Sequence, residues 1–204
     1  MLGYPVNSYL LVLKLRTVTM IRCGQSAGKT LREVSMEKVP EKIGHYLAGF
    51  ADGEGSFNVS FRPRDDYRLP WKVSLCFNIS QRDEVILSVF KRYLGCGTMR
   101  VRQDGVWYFE VNNLNAITES VIPFFKKYNF LSAKKKRDFS KFCQLAEIMK
   151  GNRHLTYEGI KEILKIREDM NDGGKRRYSD QEILNRFKES SETIRQTPPA
   201  AEMI

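Results

Sequence analysis

The chain has 204 residues, 42% of them hydrophobic and 28% charged, with a formal net charge of +10 at pH 7. That length suits one domain with a real core, and the composition excludes a disordered or fibrous chain. The positive excess points to a polyanionic partner, nucleic acid first and an anionic membrane surface second, with a merely solubilising basic surface as the plain alternative.

Four scattered cysteines (Cys23, Cys76, Cys96, Cys143) form no CxxC pair, and there are two histidines, His45 and His154. A structural zinc site, a Ser/His/Asp hydrolase and a nuclease built on a histidine pair are therefore not expected. The cysteines read as small reduced core residues of an intracellular protein, from a bacterial cytoplasm or an organelle.

Residues 1–38 lack clear periodicity and are expected to form an N-terminal arm. The apolar run Tyr9–Leu13 is too short to span a bilayer and follows no basic segment, so no membrane partner is expected. The run ending Gly28-Lys29-Thr30 looks like a phosphate-cradling loop, but the GxxxxGK[ST] spacing needs glycine where Cys23 stands.

From Pro40 the pattern predicts a helix, with Ile43, Tyr46, Leu47 and Phe50 at helical spacing. Gly44, Ala48 and Ala51 form a second stripe of small residues, suited to close helix approach within one chain or between two. The helix runs into LAGFADGEGS, residues 47–56, where Gly53 and Gly55 end it. Two acids, Asp52 and Glu54, stand where a helix C-terminus disfavours each carboxylate by about 0.3–1 kcal/mol. A divalent cation held by Glu54 and a carbonyl such as that of Gly53 reverses this cost, and so does simple solvation.

Two alternating runs follow, Ser56–Arg62 and Trp71–Ser80, joined by a polar loop with Pro63 and Pro70 as breakers. Residues 83–94 predict a helix stopped by Gly95 and Gly97. Thr98–Arg102 and Val106–Asn112 predict a hairpin turning on Gln103-Asp104-Gly105. Another helix spans 115–128, kinked or divided by Pro123. Further helices are expected over 134–150, over 156–170 with Thr156 as cap, and from the capping box Ser179-Asp180-Gln181-Glu182. The order α-β-β-α-β-β-α predicts an α+β fold: a four-stranded antiparallel sheet covered on one face by helices, with additional C-terminal helices. The tail, 197–204, has no predicted structure.

The polar face of that sheet presents Asn58, Ser60, Arg62, Lys72, Ser74, Cys76, Asn78, Ser80, Arg100, Arg102 and Tyr108, with Glu110 the one acid. Arg and Lys pair with guanine edges, Asn with adenine and Ser with either, so this face suits base reading in a major groove. An ordinary solvated sheet face has similar composition, and the net charge favours nucleic acid. Loop residues such as Arg64 and Arg68 suit phosphate contacts.

Residues 47–56 resemble the signature of the LAGLIDADG homing endonucleases. FNISQRD at 77–83, AKKKRDF at 133–139 and HLTYEGIKEILKIREDMN at 154–171 resemble further segments of that family, in the same order. The likeness covers about residues 40–195 and implies the αββαββα LAGLIDADG fold over a domain of residues 39–196. The motif occurs once, which implies a homodimer whose motif helices meet at a two-fold axis through Gly44, Leu47, Ala48 and Ala51. Asp52 then caps or supports the partner helix.

The resemblance further implies that Glu54 is the catalytic, metal-binding acid, with the Gly53 carbonyl beside it. The metal is Mg²⁺ or another divalent cation such as Mn²⁺. Gln81 orients water, and Lys134, with Lys136 as neighbour, stabilises charge on the phosphate. Where some members carry Arg or Lys four residues beyond the Gln, this chain has Val85. The implied activity is site-specific double-strand cleavage of a long, roughly palindromic DNA target, promoting intron mobility. The rival reading is an intron maturase that binds intron RNA on the same fold.

Overall fold

Four antiparallel strands form the sheet that organises the described residues, with the second strand in the chain lying between the first and the fourth. The computed structural model describes residues 39–64, 69–173 and 176–196. The expected arm, the phosphate-loop-like run, Arg68 and the tail lie outside the described residues.

Helix α1, Glu41–Glu54, leads directly into β1, Gly55–Pro63. Strand β2, Trp71–Gln81, pairs with β1 so that Gly55 opposes Ile79 and Pro63 opposes Trp71. Helix α2, Glu84–Leu94, is capped by the Asp83 side chain and ended by left-handed Gly95 at φ 66°. The hairpin of β3, Thr98–Val101, and β4, Trp107–Val111, completes the sheet by pairing β4 with β2.

The expected helix over 115–128 is divided, and Pro123 explains how. It comprises α3 (Leu114–Ala116), a wide π turn (Ile117–Val121) and α4 (Ile122–Lys127). The Ile122 N–H reaches five residues back to Ile117 O just before the proline. Proline lacks an N–H and its ring crowds the carbonyl four residues earlier, and the widened turn relieves both.

Helix α5, Ala133–Lys150, starts at Ser132, whose Oγ accepts from Lys135 N. Helix α6, Tyr157–Glu168, starts at Thr156, as its sequence predicts. Helix α7, Asp180–Gln196, starts after Ser179, whose hydroxyl accepts from Glu182 N at 3.2 Å. It docks on the sheet where Trp71 Nε1 donates to Ile183 O at 3.1 Å.

Odd-numbered residues of β1 and β2 face the helices. Phe57 and Phe77 stack at 5.1 Å, and Phe57 also meets Phe125 of α4 and Phe142 of α5. Each buried aromatic removes 150–250 Å² from water, so this cluster fixes which way the sheet faces. The even-numbered residues are left on the opposite face.

Candidate active site and nucleic-acid interface

Glu54 is the last residue of α1 and is exposed. Gly55 N–H closes the helix on Ala51 O, so the carbonyls of Asp52, Gly53 and Glu54 lie beyond the last intrahelical bond. No basic residue sits in that last turn. Compensation arrives from elsewhere in the fold.

It comes through α5. Asp52 accepts from Leu131 N at 3.0 Å and Ser132 N at 2.9 Å, and also from the Ser132 hydroxyl. Burial raises the Asp52 pKa, but the Ser132 and Leu131 hydrogen bonds outweigh it and hold the carboxyl below its ordinary value. Within its own chain Asp52 therefore clasps the capping residue of α5.

The clasp sets the phase of α5, and with it the choice of lysine. Lys135 lies on the same stripe as buried Asp138 and Phe142, three and seven residues further on. Its Nζ donates to Gly55 O, directly after Glu54. Burial pushes its pKa down, opposed by the charges of Asp138, Asp52 and Glu54 and reinforced by Lys134. Lys134 and Lys136 project outwards and are exposed. The lysine brought beside the acid is Lys135, not the predicted pair, and counting back seven from Phe142 would have found it.

Gln81 ends β2, two residues beyond the Ile79 that opposes Gly55, so Gln81 and Glu54 leave the sheet at the same end. Its Oε1 accepts Arg82 N at 3.0 Å, which leaves the amide nitrogen to donate.

The predicted reading face forms as a continuous surface. Arg62 opposes Lys72, Ser60 opposes Ser74 and Asn58 opposes Cys76. Across the sheet Asn78 opposes Glu110, Ser80 opposes Tyr108, and Tyr108 opposes Arg100. Arg100 pairs with Glu110 at 3.0 Å and Arg102 with the Tyr108 hydroxyl. Burial raises the Cys76 thiol pKa, so it sits on this face as a neutral group. Arg64 closes the β1–β2 loop through its backbone, donating to Pro70 O at 2.9 Å.

The small-residue stripe of α1 faces the other way from its predicted interface. Gly44, Leu47, Ala48 and Ala51 are all buried against their own chain. A Cβ on Gly44 would stand 2.2 Å from Tyr128 Cζ. The outward face instead carries Tyr46, Gly49 and Gly53, and among the described residues outside the adjoining helix backbone nothing lies within 4 Å of the place a Cβ would take on either glycine.

No group of three or more metal-capable His, Cys, Asp or Glu side chains exists among the described residues. One exposed carboxylate with backbone carbonyls nonetheless fits a hard cation that keeps its waters and takes further oxygens from phosphate. Among the described residues no helix is long and apolar enough to cross a membrane.

Comparison with known proteins supports this fold. A family model described as LAGLIDADG endonuclease matches residues 47–146. The crystal structure of a homing endonuclease, I-TnaI, superposes with a TM-score of 0.60 at 30% identity, over 74% of this chain and 97% of that one. The archaeal intron-encoded homing endonuclease I-Vdi141I, solved complexed with DNA, gives 0.66 at 27% identity over 72% and 96%. I-SmaMI, bound to an uncleaved DNA target in the presence of calcium ions, gives 0.59 at 33% identity over 62% of this chain and 44% of that one. A probable intron-encoded endonuclease of Neurospora crassa is 31% identical over 132 residues, 63% of this chain. The chain spans 29% of that relative and 24% of a second from the same organism, so it covers about a quarter of the curated relatives it first matches. The chain belongs to the LAGLIDADG homing endonuclease family, and its α+β architecture with a four-stranded antiparallel sheet and C-terminal helices is the fold of that family.

Proposed function

We propose that this chain is a metal-dependent, site-specific DNA endonuclease that acts as a homodimer on a roughly palindromic target and promotes intron mobility. The observation that carries the reading is that half-buried Lys135 reaches the carbonyl of Gly55, the residue after exposed Glu54, at one end of a basic sheet face.

One motif helix supplies one such acid, and a second copy of the chain supplies the other. That this chain covers nearly all of I-TnaI and I-Vdi141I, but under half of I-SmaMI, supports a single-motif unit. The exposed Gly49/Gly53 stripe gives the two helices room to meet, and two-fold symmetry in the protein calls for two-fold symmetry in the target.

A divalent cation held at this end of the sheet, Mg²⁺ or another such as Mn²⁺, would supply activation of water and stabilisation of the leaving oxygen. Glu54 and the Gly53 carbonyl provide oxygens to hold it. The Gln81 amide orients water at the same end of the sheet. Lys135 faces the charge that develops on the phosphate, in a half-buried site where its electrostatic effect is strengthened. Arg62, Lys72, Arg100 and Arg102 supply positive charge along the reading face, and Asn58, Ser60, Ser74, Asn78 and Ser80 supply base-edge hydrogen bonds.

A duplex joining the two sequences that flank the gene's intron tests this directly. Purified protein should make a Mg²⁺-dependent double-strand cut, and Glu54→Gln should bind the duplex without cutting. Intact DNA with wild-type protein bound would overturn the nuclease reading, and tight binding to the intron RNA instead would establish a maturase.

A further inference from the structure

A cavity of about 240 Å³ opens at the free edge of β1, and Glu54 is not among its lining residues. Asn58 and Ser60 of the reading face line it together with Arg167, Arg176 and Arg177. None of the described residues lining it is acidic.

Arg167 is the unusual member. It lies in the last turn of α6 with only 7% of its side chain exposed. Its Nη2 makes one long hydrogen bond, to Tyr178 O at 3.4 Å, and its guanidinium lies 5.1 Å from the Phe61 ring centre. Nε and Nη1 are buried with no hydrogen-bond partner among the described residues. The nearest ion-pair partner among the described residues, Asp180, stands 4.0 Å from Nη1, at the limit of an ion pair. Arg176 adds a second cation by donating to the Arg167 carbonyl. A buried charge left so poorly paired is costly unless something else completes it.

The surroundings look assembled for that purpose. Asn171 adopts a left-handed backbone, φ 53°, and its amide donates to Phe57 O at 2.9 Å and Asn58 Oδ1 at 3.3 Å. This ties the segment after α6 to the edge strand and holds the cavity open between them.

We propose that this cavity is a phosphate seat, in which the guanidinium groups of Arg167, Arg176 and Arg177 that line it receive phosphate oxygens beside the edge of the reading face. A phosphodiester of bound DNA and a free phosphate share this chemistry. Position favours the DNA backbone, because Asn58 and Ser60 belong to both the cavity and the face, and that assignment rests on the DNA-binding reading above. Guanidinium forks match phosphate oxygens in pairs, and such contacts set register without reading sequence.

Three forms of the full chain separate the outcomes: wild type, Arg167→Met and the exposed rim variant Arg177→Gln. Melting in inorganic phosphate against chloride at equal ionic strength should raise the wild-type Tm, raise it less in Arg177→Gln and leave Arg167→Met unmoved. Arg167→Met should keep or exceed the wild-type Tm in phosphate-free buffer, since it removes a poorly paired buried charge. Binding to a random-sequence duplex, followed against salt, should give each variant a slope of log K on log salt shallower by about one. Equal phosphate responses in all three proteins would overturn the seat. A phosphate response with unchanged salt slopes would overturn its assignment to DNA. Both effects in a protein that cuts nothing would sink the nuclease reading and leave this one standing.

Discussion

Asp52 holds Ser132 through two hydrogen bonds, from the Ser132 backbone N–H at 2.9 Å and from its hydroxyl. The acid belongs to the last turn of the motif helix α1, and the serine is the cap of α5. This contact fixes the distance between the helix that carries Glu54 and the helix that carries Lys135.

Asp52→Ala should therefore cost stability, about 1–3 kcal/mol for the lost charge-assisted bonds, and should lower cleavage further than the stability loss explains. Denaturant unfolding and single-turnover cleavage, measured on the same preparation, check both. The acid limb gives a second test. The folded pKa of Asp52 lies below the 3.8 of a free carboxyl, so its stabilisation is present above that value and is lost as pH falls through the lower folded value. Melting temperature should drop more steeply below pH 4 in wild type than in Asp52→Asn.

Lys135 separates from its neighbours by chemistry. Its folded pKa is pushed below 10.5, first by burial, so the unfolded state holds its proton more tightly and keeping the charge costs stability at neutral pH. Lys135→Met should keep or raise the Tm while cutting slows about 10²–10³-fold, the usual loss on removing one stabiliser of transition-state charge. Lys134→Ala and Lys136→Ala should cut at near wild-type rates. Equal losses from all three would show that the run acts only as a diffuse phosphate-binding surface.

The reading face and the lysine run differ in how far the sequence determines them. The alternation Phe57-Asn58-Val59-Ser60 and its continuation in β2 fix which residues face the helices, because one slip of register would turn every side chain over. The reading face was legible for that reason. The lysine was not, because three consecutive lysines have no contrast among themselves. Only the phase set by Ser132 and by buried Phe142 distinguishes them. The α1 stripe failed differently: small residues signal close approach without naming the neighbour, and the neighbour of Gly44 is the Tyr128 ring. Arg167 gave no signal at all, since an arginine near a helix end ordinarily means solvent and a favourable helix dipole.

The two kinds of glycine on α1 make opposite predictions. Gly44→Ala drives a methyl into Tyr128, whose hydroxyl donates to Val39 O at 3.2 Å, and should destabilise the monomer by about 1–3 kcal/mol. At Gly49 an added Cβ meets nothing within 4 Å among the described residues, and Gly49→Leu improves helix propensity by about 0.5–1 kcal/mol. It should fold as well as wild type yet sediment as a monomer and lose double-strand cleavage. A Gly49→Leu protein that remains dimeric would move the two-fold contact off this face of α1.

Glu110 is the one acid on the reading face, and it holds Arg100 at 3.0 Å. Removing its charge releases a cation that the strand pairing already directs towards the partner, since Arg100 and Glu110 both flank Tyr108 on one surface. Glu110→Gln should therefore tighten binding to a random duplex and steepen its salt dependence by about one phosphate contact, a slope change near 0.9. Discrimination between the intron-flanking target and a random duplex should shrink, because the carboxylate also fixes the direction of the guanidinium and can accept from cytosine. Titrations of both duplexes at three salt concentrations measure the two effects together. Tighter random binding with unchanged discrimination would mean that Arg100 contacts phosphate and reads no base.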